Sequence, residues 1–148
     1  VGCNAAQYCI SNSVNLDEAS AWLDKSIKVK PTFTNYMLKA GMMEKNGKTS
    51  EAADLEKKAM TLATKDELDQ HGYALIAKKK YAEAVDIFKL NLKNNPDDWN
   101  MYDSLAEGYN YTGEKKKAVD FYNKALAKAP EDQHERIKGI LAELGTGN

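Results

Sequence analysis

Catalysis and metal binding need side chains that attack, carry protons or ligate, and this sequence supplies few of them at useful spacings. The two histidines, His71 and His134, stand far apart, and no His or Cys lies at a spacing that would form a zinc site. His71 falls among helix-packing positions, where a satisfied interior histidine is a simpler reading than a base or ligand; His134 opens the last helical stretch and is expected in solvent. A nucleophile would need a strained turn or an adjacent base, yet no G-x-S-x-G pattern occurs, and Ser104 and Cys9 sit in regular helical stretches. Gly145-Thr146-Gly147 is not followed by a helix, so it is no phosphate loop. The expectation is a chain with no catalytic residue, no metal ligand and no cofactor.

Composition narrows the partners. The 21 basic and 22 acidic side chains nearly cancel to a formal net charge of −1, so no global field draws nucleic acid or anionic lipid. No apolar run approaches the roughly 18–20 residues of a membrane span. A hydrophobic content of 43% over 148 residues suits one core or one short repeat stack. Cys3 and Cys9, six positions apart in one predicted helix, are separated by a rise of about 9 Å, beyond disulfide reach, so they report no redox compartment. The chain opens with Val1 and shows no signal-peptide pattern, which suggests a processed chain or an excised fragment. Val1-Gly2-Cys3 has the form of a lipoprotein cleavage end without the apolar stretch that should precede it, and a buried helix cysteine is the better reading.

The strongest signal is a repeat. Asp17-Glu18-Ala19, Ser50-Glu51-Ala52, Ala82-Glu83-Ala84 and Lys116-Lys117-Ala118 place an alanine after a charged residue at a period near 34, and Pro31, Pro96 and Pro130 each fall twelve positions after one of those alanines. A fixed small residue with a fixed proline at that period predicts stacked helix pairs. Tyr102, Leu105, Ala106 and Tyr109 share one face of a first helix, Gly113 ends it in a tight turn, and Ala118, Phe121, Tyr122, Ala125 and Leu126 form the buried stripe of a second helix that Pro130 stops. The same offsets give Leu68, His71, Gly72, Leu75, Ala84, Phe88 and Pro96 one unit earlier. Tyr36, Ala40, Met43, Gly47, Ala52 and Ala59 follow them in the unit before that, where Lys39 and Glu56 replace apolar residues and predict looser packing. Ala19, Leu23, Ser26 and Pro31, with Ala6 and Ile10, suggest a degenerate leading hairpin. Ile137, Ile140, Leu141 and Leu144 predict a capping helix stopped by Gly145. Ala40, Gly72 and Ala106 should let helices approach closely enough for Phe88 and Tyr122 to fill the seams.

Tyr102, Leu105, Ala106, Tyr109, Ala118, Tyr122 and Pro130 resemble the tetratricopeptide repeat (TPR) signature of bulky, Leu, small, aromatic, Ala, aromatic and Pro. The resemblance implies an all-α, right-handed α-α superhelix, a single TPR-like domain over 1–148: degenerate hairpin 1–32, repeats 33–64, 65–98 and 99–132, and a cap at 133–145. Asn4 to Cys9, Asn15 to Ala19 and Phe88-Lys89-Leu90-Asn91 also resemble the repeat-bearing C-terminal part of bacterial exported proteins. That implies a further N-terminal domain and a periplasmic or cell-envelope address, with the cytoplasm as the alternative.

In this family the first helix of each unit lines a concave face that takes peptides. Projected onto this sequence, that face should carry Thr34, Met37, Gly41, Glu44, Asp66, Asp69, Tyr73, Ile76, Asn100, Asp103, Glu107 and Tyr111. The partner-binding residues are expected to be Met37, Asp69, Tyr73, Ile76, Asn100, Asp103, Glu107 and Tyr111. Family members that grip acidic chaperone tails use Lys, Asn and Arg where this chain has Met37, Gly41, Asp69, Gln70, Asp103 and Ser104, so that carboxylate clamp is absent. An acidic, aromatic face should favour a basic or apolar segment of a protein or peptide. The competing view is that these acids merely suit helix N-termini. A structural module, packed on another domain or self-associating, is the alternative function. Lys45 and Lys48, Lys78 to Lys80 and Lys115 to Lys117 are read as a solvated edge at helix C-termini rather than a nucleic-acid or membrane surface. Trp22 and Trp99 are read as seam packing, and Asn110-Tyr111-Thr112 as a chance glycosylation triplet.

Overall fold

The computed structural model describes Tyr8 and residues 15–146; Cys3, Ala6, Cys9 and Ile10 lie outside the described residues. Among them it contains α-helices and one 3-10 turn, with no strand: α1 (Leu16–Val29), α2 (Phe33–Lys45), α3 (Thr49–Leu62), α4 (Lys65–Ala77), α5 (Tyr81–Asn94), α6 (Trp99–Tyr111), α7 (Lys115–Lys128) and α8 (His134–Thr146), the last preceded by the 3-10 turn Glu131–Gln133. The chain forms two compact units, one ending at Thr64 and one beginning at Lys65. The fold is an all-α array of helical hairpins.

Three turns inside hairpins share one construction. Gly47 (φ 76°), Lys79 (φ 61°) and Gly113 (φ 80°) adopt the left-handed conformation that reverses the chain. The next amide in each case, of Lys48, Lys80 and Glu114, donates back to the carbonyl of Met43, Leu75 and Tyr109 at 2.9 Å, so the helix-ending carbonyls are satisfied. The carbonyls of Lys48, Lys80 and Glu114 then each accept the amide of the repeated alanine, Ala52, Ala84 or Ala118, at 3.0 Å, opening the second helix. The alanine is small because it is buried at once, at 4%, 0% and 0% exposure.

In the first unit Ala19 and Leu23 of α1 pack on Met42 of α2, with Trp22 and Leu38 alongside. The sequence pattern pointed to Met43, but Met42 is the buried methionine, and Met43 is half-buried beside Lys39, Leu55 and Lys58. Lys39 pairs with Asp24 of α1, which accommodates a charge where an apolar side chain was expected. α2 starts with a reciprocal cap: Asn35 donates its amide to Thr32 Oγ1 (3.1 Å), and Asn35 Oδ1 accepts the Thr32 amide (2.8 Å). The buried Asn35 side chain also donates to the Lys30 carbonyl (2.8 Å) and to Ser26 Oγ (3.2 Å), tying the end of α1 to the start of α2.

The second unit has the larger core. Phe88 of α5, fully buried, lies between two glycines. A Cβ at Gly72 on α4 would come 2.7 Å from Phe88 Cζ and 2.9 Å from Cδ1, and closer still to Cε1. One at Gly108 on α6 would stand 3.1 Å from Phe88 Cδ2 and Val85 Cγ2. Around this seat pack Leu75, Ala84, Leu105, Ala106, Tyr109, Ala118, Tyr122 and Ala125, and α8 closes the end with Ile137, helped by Ile140, Leu141 and Leu144. Trp99 packs at the margin of this cluster. Buried Asn91 donates to the Lys65 carbonyl (2.9 Å) and fixes the start of α4 on the end of α5.

Two further expectations are corrected. α8 runs through Gly145 to Thr146, since a glycine in a helix is a cost of about 1 kcal/mol rather than an obligatory stop. Lys115 to Lys117 form the first turn of α7, not a helix C-terminus. There the macrodipole disfavours them, and Glu114, paired with Lys117 Nζ at 2.6 Å, and the Tyr109 ring, 5.2 Å from that ammonium, offset the effect.

Gly72→Ala sets overpacking, about 1–3 kcal/mol, against a helix-propensity gain of about 1 kcal/mol, and overpacking should win. The chemical-denaturation midpoint should fall, whereas Gly41→Ala, whose added Cβ meets nothing within 4 Å, should hold or raise it; equal behaviour of the two variants would refute the close approach. Lys79→Gly should raise stability by about 0.5–1 kcal/mol by relieving the left-handed lysine, net of the extra freedom glycine gives the unfolded chain. A thermal midpoint below that of the parent would contradict the shared turn construction.

Candidate functional site

Helices α4 and α6 carry most of the expected binding residues, and packing of one on the other through Phe88 brings them together. The Tyr73 ring meets Phe88 edge-on at 5.2 Å between centroids, which places its hydroxyl at α6. That hydroxyl donates to Glu107 Oε2 at 2.7 Å and lies 3.3 Å from Ser104 Oγ; Ser104 in turn donates to Asp69 Oδ1 at 2.8 Å. Tyr73 has one proton, and the charged, nearer Glu107 is the stronger acceptor. Asp69, Ser104, Tyr73 and Glu107 therefore form one polar chain across two helices.

Asp103 is next to this chain in sequence and is only 8% exposed. Its Oδ2 accepts from Arg136 Nη2 at 3.0 Å, an arginine brought in by α8, while its Oδ1 has no hydrogen-bond partner among the described residues. Arg136 also donates its Nε to Gln133 Oε1 at 3.0 Å. Burial pushes the Asp103 carboxyl above the usual carboxylate range, opposed by Arg136. Asp69 is likewise raised, first by burial and then by the charges of Asp66, Asp98 and Asp103, against the Ser104 hydrogen bond. Burial, reinforced by Glu107, holds the Tyr73 phenol protonated, and burial with the charges of Glu107 and Asp103 does the same for Tyr122. These shifts describe a carboxylate-rich, partly dry face.

The other expected residues lie around it. Asn100 is exposed in the first turn of α6, where its amide donates to the Asp98 side chain at 3.0 Å. Asp98 also accepts from Lys65 Nζ at 2.6 Å, joining the starts of α6 and α4; the Lys65 hydrogen bond lowers its pKa. Ile76 packs against the core. Tyr111, 48% exposed at the end of α6, stacks on Tyr81 with centroids 5.1 Å apart, beside an open pocket that Lys79, Lys80 and Thr112 help to line. Met37 is half-buried on α2 of the first unit. His71 is half-buried, and burial with Lys78 pushes its pKa down; His134 Nε2 lies 3.0 Å from the Ala129 carbonyl.

Sequence reasoning placed Ser104 on this face only as a position where a clamp residue is missing, and it did not single out Arg136. Arg136 had a signal: it is the only arginine among 21 basic residues, so its identity could be read as a demand for a planar guanidinium where lysine serves elsewhere. Among the described residues no group of His, Cys, Asp and Glu could hold a metal ion, and no helix is long and apolar enough to cross a membrane.

A carboxyl whose pKa is raised by folding binds its proton more readily in the native state, so its burial costs stability once pH exceeds the unfolded value near 3.8 and is free of cost below it. Asp69→Asn keeps an oxygen for Ser104 and removes that cost. The variant should match the parent in urea midpoint at strongly acidic pH, exceed it increasingly as pH rises from the unfolded value near 3.8 through the raised native pKa, and keep a constant advantage above that; a difference independent of pH would contradict the burial argument.

No family model matches the sequence, and no curated protein does. Among solved structures, the chain is similar to MamA (residues 41 to the end) from Desulfovibrio magneticus RS-1, a protein containing tetratricopeptide repeats. The TM-score is 0.50 and the identity 17%, over 96% of this chain and 90% of that one. The likeness is one of fold: the chain has a tetratricopeptide-like helical-repeat fold.

Proposed function

We propose that the α4/α6 face of the second unit binds a segment of a partner protein that carries basic residues beside apolar ones. A tetratricopeptide-like fold suits protein partners, and the reading is a non-catalytic scaffold. The observation that carries it is the line of carboxylates Asp69, Asp103 and Glu107, held half-dry on two adjacent helices with Arg136 as the cation hydrogen-bonded to Asp103. Keeping charges there costs stability, and the hydrogen bonds that position them aim the acceptors rather than neutralise them. Helix-dipole preference does not account for the arrangement, because Glu107 stands well past the first turn of α6, beyond the reach of that effect. Ile76 at the end of α4, and Tyr111 at the end of α6 stacked on Tyr81 at the start of α5, offer apolar surface for hydrophobic neighbours of the basic residues.

Asp69→Asn combined with Glu107→Gln removes two charges and keeps the shape. Binding of a fluorescent peptide alternating arginine and leucine, read by anisotropy, should weaken by at least about tenfold, or about 1.4 kcal/mol, without a drop in thermal midpoint. Unchanged affinity would rule this face out as the basic-segment site.

A further inference from the structure

Resting on that reading, we infer that the face selects arginine, and that Arg136 is its resident occupant, displaced when an arginine of the partner segment enters. Three observations meet here. Arg136 is the only arginine in the chain, and it is the side chain that reaches the interior carboxylate of the face. Its guanidinium is divided: Nη2 serves Asp103 Oδ2 and Nε serves Gln133, so the pair is single-pronged where a guanidinium and a carboxylate can form two parallel bonds. The oxygen left over, Asp103 Oδ1, is buried and without a partner among the described residues, which is the deficit a second N–H would fill.

The geometry makes exchange feasible. The Arg136 side chain is 44% exposed, held from the solvent side by one bond to Asp103 and one to a neighbour on its own segment. α8 does not depend on it for docking, since Ile137 is fully buried and Ile140, Leu141 and Leu144 pack on the same core. An incoming guanidinium would find Asp69 and Glu107 nearby and the Tyr73 ring as an apolar wall, a setting that suits the weakly hydrated, planar arginine head better than a lysine ammonium. Arg136 then acts as an internal competitor: it keeps Asp103 partly satisfied in the empty protein and lowers the affinity of the arginine that has to displace it, whereas a lysine segment that leaves it in place loses little to it.

A single arginine makes the exchange observable in the unmodified protein. Uniformly 15N-labelled chain has one arginine Nε–H cross-peak, and it can be followed while the unlabelled arginine-leucine peptide is added. The expected result is that this peak moves to the position of a free arginine as the amides of Asp69 and Ser104 shift, and that Arg136→Gln binds the peptide about tenfold more tightly. The same peptide with lysine at every arginine should gain less from the substitution. If the amides of Asp69 and Ser104 shift while the arginine peak stays in place and Arg136→Gln binds no more tightly, the displacement is wrong and the binding face stands. If nothing shifts at any peptide concentration, the face itself does not take a basic segment, and the arginine inference falls with it.

Discussion

The second unit depends on one close approach. Phe88 can be fully buried between α4 and α6 only because Gly72 and Gly108 withhold their side chains, and its burial is worth about 1.5–3 kcal/mol before packing contacts are added. The consequence reaches the surface in two steps. Phe88 supports the edge of the Tyr73 ring, and the Tyr73 hydroxyl bridges to Glu107 beside Ser104. An apolar seat in the core therefore sets the register of two polar helix faces, and with it the distance between Asp69 and the acids of α6.

Around that seat the fold manages polar groups in two ways. Where an amide is buried for structure, it is fully used: Asn35 holds the end of α1, and Asn91 accepts from Asn95 while it donates to Lys65 at the head of α4. Where a carboxylate is buried on the α4/α6 face, satisfaction is incomplete, and Asp103 keeps an oxygen without a partner among the described residues. Buried polar groups are normally paired, so an exception beside a cluster of like charges marks a place where stability yields to another requirement. The same face carries the raised pKa values of Asp69 and Asp103.

The hairpins were legible in the sequence because their markers are backbone requirements. Gly47 and Gly113 mark left-handed turns, the alanines at 52, 84 and 118 mark buried first turns, and Pro96 and Pro130 follow helix ends. Lys79 shows the limit, since the third turn of the same kind uses a residue that gives no such mark. Gly72 was legible from its place in the repeat, whereas Gly108, two positions beyond the expected seam residue Ala106, emerges only when Phe88 is seen to touch both helices. Buried asparagines read as surface in any hydrophobicity pattern; only their partners reveal Asn35 and Asn91. Of the face, Asp69, Tyr73, Asp103 and Glu107 follow from helical projection, but the entry of Arg136 depends on how α8 docks, a tertiary fact that periodicity within α8 does not contain.

The central claim is that the Phe88 ring is what forbids a side chain at Gly72, and a double-mutant cycle between the two positions tests it directly. Free energies of unfolding would be measured for the parent, Gly72→Ala, Phe88→Leu and the double variant. The account predicts strong coupling, with the added methyl costing much less once the ring is shortened to leucine. Additive costs, within the 0.3–0.5 kcal/mol or so expected of independent sites, would contradict it.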